Sequence, residues 1–539
     1  MSSKEYNLLD EPWILATDVG GRATSVSLLD VFARAHELRS LSGELPTQDV
    51  AILRLLLAVL YAVFTRVDTN GTPLQPEYDA YALWKELWST KQFPMDVVGQ
   101  HLHDCRERFW LFHPERPFWQ VTFDSVKPPI NKDGVSLRPA SKEASLLIGD
   151  IAESDNKPNM FCGRGDKASM SFAEAARWLV HLNAFGFSPA GNLSKNSKTI
   201  KGFSLPWPAN FSIVWLSGDT LFETLLLNLV LLNNDSPWPK GKAYWESPPP
   251  CTTADDLEHT EIIRPESIVT LMSLQYRYIT LKRNGSSVTG FDLWSGVWFD
   301  TKNLFIEQMT TWEVKKGAYF PRKQLPSRQM WRDFAAFLPQ KASDIGPGVI
   351  KWIEALRQED APLKFFQLNV AGMEYKNKTA IDDVFFDNLQ LNSGLLSMLD
   401  ENSGNSENWT KRIVDELKVT EDVASYLGRL ALEIAEASGD RSNSSKKRDA
   451  AIREAYFQLD LPFRDWLSSI DPQRHDKHAS CLQWRRITTA IVLRLGEDLV
   501  SQASKQAFTG RGTTINQLAT TPKAYIKFKG LVYHRTKED

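Results

Sequence analysis

The chain has 539 residues, with 63 Lys plus Arg against 66 Asp plus Glu and a formal net charge of −3. That length predicts about three domains, or one large domain and a smaller one. Hydrophobic residues make up 42% and charged residues 24%, an ordinary globular composition that excludes a uniformly basic nucleic-acid coat but not a local basic groove.

Met1–Trp13 has no apolar signal core. The greasiest runs, Ala51–Phe64 and Leu221–Leu232, contain Arg54 and Glu223 and fall short of the about 20 residues a spanning helix needs. The chain is therefore expected to be a soluble cytoplasmic protein with no membrane partner. Thr47 is the expected N-cap, with Asp49 in the first turn, of an apolar helix through Phe64. Phe211–Leu216 and Phe365–Val370 read as strands. Tyr278–Leu281 and Val288–Leu293, joined across Asn284-Gly285, read as a β-hairpin, since Asn-Gly supplies the positive φ values of a tight turn. Pro-rich loops such as Ser247–Pro250 separate these elements.

The pattern changes near residue 390. Leu399–Ser406 reads as a polar linker, and the apolar period beyond it is helical. Val423, Leu427, Leu430 and Ile434 share one helix face. Ala455, Tyr456, Leu459, Phe463 and Trp466 share a second, with Pro462 as a kink, and Trp484, Ile487, Ile491 and Leu495 a third. Short loops such as Gly439–Ser445 predict antiparallel packing. The expected fold class is α+β: a large mixed α/β N-terminal domain over 1–390, then a C-terminal four-helix bundle over 391–539.

Catalytic motifs are missing. There is no GxxxxGK[ST] loop, GxSxG elbow or HExxH helix, and Gly163-Arg164-Gly165-Asp166 lacks the third glycine of a dinucleotide loop. The four cysteines, Cys105, Cys162, Cys251 and Cys481, form no CxxC pair, which suits a reducing compartment and argues against a zinc site. His101 with His103, and His475 with His478, lack carboxylates that would complete a metal shell; surface histidines are the expectation. Asp255, Asp256, Glu258 and Glu261 could hold a divalent ion for phosphodiester hydrolysis, although a solvated loop is the plainer reading. No catalytic residue, metal or cofactor is expected.

Basic side chains are the stronger signal. Lys282-Arg283 flanks the hairpin turn, Lys315-Lys316 precedes Gly317, and Lys446–Arg448 opens a bundle helix. Lys527 and Lys529 alternate with Ile526 and Phe528, as on one face of a strand. Each such patch can release counterions from phosphate or simply be a solvated face. The 18 Trp, 28 Phe and 13 Tyr can stack on bases or fill cores.

The opening Tyr6–Ile14 (YNLLDEPWI) resembles that of the CasA family, the large subunit of the type I-E CRISPR surveillance complex, Cascade. Leu53–Ala58 is similar to the family's first apolar helix and Phe112–Gln120 to its HPxxPF segment. Ala184–Gly191 is similar to its glycine loop and Gly218–Leu225 to its central helix. The resemblance implies recognition of a short protospacer-adjacent motif in double-stranded DNA, opening of the duplex beside it, and recruitment of a helicase-nuclease. The implied partners are the backbone and small subunits, the 5′ handle of the guide RNA, and target DNA. Minor-groove reading suits a short, permissive motif, because the donor and acceptor pattern there is degenerate, while guide pairing reads the remaining sequence.

Residue by residue, the resemblance places Asn159, Phe161, Gly163 and Arg164 in the loop that contacts the motif and the guide handle, with Gly163 where relatives can carry asparagine. Ser188, Pro189, Ala190 and Gly191 match the glycine loop, with one glycine where some relatives have several. Asn377 or Lys378 takes the tip of the duplex wedge. The family's lysine finger has Lys282 and Lys302 as its nearest candidates, and Lys315-Lys316 matches a basic pair. Two other readings stay open: a metal-dependent nuclease using the acidic patch, and a structural scaffold without DNA contact.

Overall fold

A computed structural model describes residues 4–122, 140–148, 168–187, 205–233, 235–247, 264–295, 299, 301–338, 345–359, 361, 363–376, 380–396, 408–510 and 519–537. The chain divides into two compact units. The first comprises Met1–Arg328, Ile345–Pro362 and Phe366–Asn388; the second comprises Gln329–Asp344, Leu363–Phe365 and Leu389–Asp539.

In the first unit the opening motif is a packed turn. Leu8, Leu9 and Trp13 are fully buried, the Trp13 indole donates to the Leu8 carbonyl at 2.9 Å, and the Tyr6 hydroxyl donates to the Pro12 carbonyl. An antiparallel sheet of Ala23–Val26, Ile14–Asp18 and Leu38–Leu41 follows. Next comes the core helix, Pro46–Phe64, which is apolar on all sides because neighbours surround it. Its 19 residues are long and apolar enough to cross a membrane, but 94% of its apolar window is buried inside the protein.

The expected Thr47 cap is not observed. Proline at the first helical position starts the helix, the N-cap is Leu45 without a side-chain bond, and Thr47 Oγ1 instead meets His181 Nε2 at 3.0 Å. Burial holds that imidazole neutral, its pKa pushed down to about 3. Arg54, also on the core helix, makes a bidentate pair with the fully buried Glu307 at 2.9 Å, and the Trp207 indole donates to the same carboxylate at 2.8 Å.

The HPxxPF segment is structural. His113 Nδ1 accepts from the Glu115 and Arg116 amides, and Phe118 is fully buried. The Gln120 side chain bridges the Leu111 carbonyl and the Leu281 amide. It therefore splices this segment onto the hairpin of Arg277–Asn284 and Ser287–Ser295, which forms as expected with Gly285 at φ +57°. A second sheet runs in the order Ala380–Asn392, Phe365–Lys376, Ile213–Ser217.

Among its described residues the second unit has four long helices, Trp409–Ser438, Ser444–Ser469, Lys477–Ser501 and Thr521–Thr536. Gly439, at φ +90°, ends the first in the left-handed cap that glycine favours. Pro462 sits inside the second helix without ending it. Gly428 lets helices approach closely, since a Cβ there would meet Ile452 Cγ1 at 2.6 Å. The core stacks Trp331 on Phe463 with centroids 4.7 Å apart and Trp466 on Trp484 at 5.4 Å.

One further local expectation is overturned here. Lys527 and Lys529 lie on a helix, not a strand; Thr520 caps its start and Pro522 sits in its first turn, so those signals outweigh a short alternation. His475 and His478 are both exposed, as expected; His475 precedes the helix that carries His478, and its Nδ1 accepts from the Asp471 amide.

Candidate nucleic-acid interface

The hairpin that resembles the duplex wedge has long, regular arms, Phe365–Lys376 and Ala380–Asn392. Asn377 and Lys378 lie outside the described residues, but the arm leading to them is firmly anchored. Tyr375, two residues before Asn377, donates its hydroxyl to the Phe185 carbonyl at 2.6 Å. Phe185 ends the helix Phe172–Phe185, and the next residues lead to Ser188.

Arg277, buried at the start of its hairpin, binds the same turn. Its Nε donates to the Phe187 carbonyl at 3.2 Å and an Nη to the Gly186 carbonyl at 3.3 Å, while its backbone amide donates to Asn183 Oδ1. Burial lowers its pKa to about 10, and Tyr375 offsets part of that. Burial likewise drives the Tyr375 hydroxyl far above its ordinary value, so it stays a neutral donor. The Lys323 ammonium lies 4.9 Å from the Tyr375 ring, and burial lowers its pKa too. The exit of one helix and one arm of the hairpin are thus tied together by directional bonds. Neither Arg277 nor Tyr375 was singled out from sequence; residues 98 positions apart reveal their proximity only once the fold is known.

Ser188, Pro189, Ala190 and Gly191 lie outside the described residues, as do Asn159, Phe161, Gly163 and Arg164. The flanks of the second group are described. Glu143 pairs with Gly290 and Met170 with Val288, so the chain leaves and returns to neighbouring positions of one strand. Gly290 permits the close approach, since a Cβ there would meet the Lys142 carbonyl oxygen at 2.6 Å.

The basic candidates separate into two places. Lys282, opposite Gly290, pairs with the buried Asp292 at 2.7 Å and with the Ser141 hydroxyl. Lys302 is exposed and precedes Asn303, whose backbone and side chain both bond Tyr319. That splices its loop onto the hairpin of Trp312–Lys315 and Ala318–Pro321, where Lys315 and Lys316 sit. Lys315 pairs with Glu313 at 2.5 Å. Lys316 is exposed in the turn at φ +52°, followed by Gly317 at φ +76°.

The residues Asp255, Asp256, Glu258 and Glu261 lie outside the described residues. Among those described, no group of three or more His, Cys, Asp or Glu side chains is arranged to hold a metal. Half-buried His101 takes a bond from the Trp245 indole at 3.3 Å, and burial lowers its pKa, which fits a structural role.

A mixed α/β unit with basic and long antiparallel hairpins, and a unit of four long helices, define an α+β protein. Residues 7–495 match the family model described as CRISPR-associated protein Cse1, and the chain belongs to that family. It is 30% identical over 444 residues to a CRISPR-associated protein CasA/Cse1 of Thermus thermophilus, covering 81% of this chain and 79% of that one. Its structure is similar to that of Thermobifida fusca Cse1, with a TM-score of 0.81, 28% identity and 98% of each chain covered. It also shares the fold of a chain of a solved CRISPR RNA-guided surveillance complex, at a TM-score of 0.68 and 17% identity, covering 98% of this chain and 100% of that one.

Proposed function

We propose that the chain is the large subunit of a type I-E Cascade: a non-catalytic, cytoplasmic protein that recognises the protospacer-adjacent motif in double-stranded DNA. In this reading it opens the duplex beside the motif and recruits the helicase-nuclease. The observation that carries the proposal is the family match over residues 7–495. The anchored hairpin adds physical support. Unstacking a base step costs a few kcal/mol, and a wedge can exert that work only from a rigid base. Tyr375 and the buried Arg277 supply one at the arm that leads to Asn377 and Lys378.

The proposed roles follow. Residues 1–390 recognise the motif and the guide handle, with Asn159, Phe161, Gly163 and Arg164 at the handle loop and Ser188–Gly191 against the groove. Asn377 or Lys378 forms the wedge. Lys302, Lys315 and Lys316 offer cations to flanking DNA, Lys315 in exchange for its surface pair with Glu313; Lys282, whose partner Asp292 is buried, serves there less well. The bundle faces the small subunits.

The test is duplex binding by a guide-loaded Cascade core, with and without this chain, on targets that differ only in the motif. Tightening on the correct motif alone supports the proposal. Unchanged binding, or equal tightening on every target, contradicts it.

A further inference from the structure

A cavity of about 290 Å³ opens in the first unit between the start of the core helix and the sheet that carries the wedge hairpin. Its one charged lining residue is an acid. Asp49 lines it and is largely buried; one carboxylate oxygen accepts from the Gly43 amide at 2.7 Å. No cation among the described residues pairs with Asp49, and the neighbouring Glu44 is already paired with Arg177 at 2.8 Å. The Asn369 amide has spent its donors and Gln367 one of its two, while the hydroxyls of Ser40, Ser217 and Thr224 can donate or accept. Asn369 Nδ2 donates to Ser217 Oγ at 2.9 Å and to the Gln367 carbonyl at 3.0 Å, and Gln367 Nε2 donates to Asn388 Oδ1 at 2.9 Å. That leaves Asn369 Oδ1, Gln367 Oε1 and an Asp49 oxygen as acceptors. Two aromatic rings complete the wall: Trp215 and Phe386 lie with centroids 5.9 Å apart, and Phe386 is 45% exposed.

One carboxylate without a counterion, amide oxygens beside it and an aromatic wall select a flat cationic group rich in donors. A neutral nucleobase leaves the Asp49 charge uncompensated, and a phosphate is repelled by it. Guanidinium has five donors, no acceptor, and a planar face that stacks on rings. An exposed aromatic at the rim suits a side chain reaching in from another protein surface rather than an enclosed metabolite. We propose that this cavity receives the guanidinium group of one arginine side chain presented by a partner protein.

The probe is Nα-acetyl-arginine amide, titrated by calorimetry into the purified full-length chain at about pH 8, where the Asp49 carboxyl is charged. Its neutral isostere, Nα-acetyl-citrulline amide, free L-arginine and Nα-acetyl-lysine amide serve as comparisons. The expected result is weak but saturable arginine binding, none for citrulline, and weaker binding of the lysine amide, whose compact ammonium lacks the planar fork. Asp49→Asn should lower the arginine affinity about tenfold, a loss of about 1.4 kcal/mol. Should Asp49→Asn fail to fold, Phe386→Ala decides, because that ring is exposed and its truncation should weaken binding without unfolding the chain. Equal binding of citrulline and arginine, or affinity unchanged in Phe386→Ala, would overturn the proposal. Tighter binding of free L-arginine than of the blocked form would indicate a metabolite site and overturn presentation by a protein.

Discussion

The helical unit fills its core with rings: Trp331, Phe463, Trp466 and Trp484 contact one another, and the Trp484 indole donates to Thr420 Oγ1 at 3.0 Å. The first unit packs rings as well, such as Trp84 on Trp88, and the helical unit has a buried carboxylate pair, Arg485 with Glu416. What the first unit adds is a set of buried bonds between residues far apart in the chain: the Arg54–Glu307 pair, the Thr47–His181 contact, and the Arg277 and Tyr375 bonds to the 185–187 turn. Aromatic packing tolerates shape-conserving change, because the hydrophobic term has no preferred direction. A buried polar contact tolerates little, since an orphaned partner costs its whole desolvation penalty. In the unit proposed to touch DNA, the 185–187 turn and the arm that carries Tyr375 are therefore held by bonds that tolerate little change.

The largest expected effect comes from breaking a buried ion. Glu307→Ala should destabilise the first unit by about 3–5 kcal/mol in chemical denaturation, because it strands Arg54 in the core. The double change Arg54→Met with Glu307→Leu should recover most of that loss. A double variant no better than the single one would show that the pair's charges are not the reason.

Next comes Asp49, which burial chiefly, with Glu44 adding to it, raises to about 7. Burial disfavours its charged form, so the folded state holds a proton that the unfolded chain releases near pH 4. Its contribution is therefore fully present below about pH 4 and is lost as pH rises to about 7, worth up to about 4 kcal/mol. The stability difference between the native chain and Asp49→Asn should shift across that window, with the native chain losing more as pH rises. A flat difference would contradict the burial argument.

Tyr375→Phe removes one bond to the Phe185 carbonyl and should cost about 1–2 kcal/mol of stability. It should also reduce the preference for the correct motif while leaving general DNA affinity intact. An unchanged preference would separate this anchor from recognition. The smallest effect is expected from surface charge. Lys316→Ala should shallow the salt dependence of DNA binding by about 0.9 in log-log slope. Lys282→Ala should leave that slope alone and weaken the sheet locally, because Asp292 already holds this lysine.

Much of the fold is legible in the sequence. The Asn284-Gly285 turn sets its hairpin, and the apolar steps from Val423 to Leu430 mark a bundle helix, because both signals are local. The core helix could be located but not its cap; Pro46 and a distant histidine decide what Thr47 does. Alternating Lys527 and Lys529 mislead because four residues of period two carry less weight than a cap and a first-turn proline. At the candidate site, sequence finds the strand that starts at Phe365 and the basic pair Lys315-Lys316 but misses the strand Ala380–Asn392, Arg277, Tyr375 and the Asp49 cavity. Their meaning lies in contacts between residues far apart in the chain.

The most direct measurement of the central claim is duplex binding by the guide-loaded Cascade core on matched targets, with and without this chain. Tighter binding only on the target with the correct protospacer-adjacent motif is the predicted result. Equal affinity for both targets in the presence of the chain would contradict it.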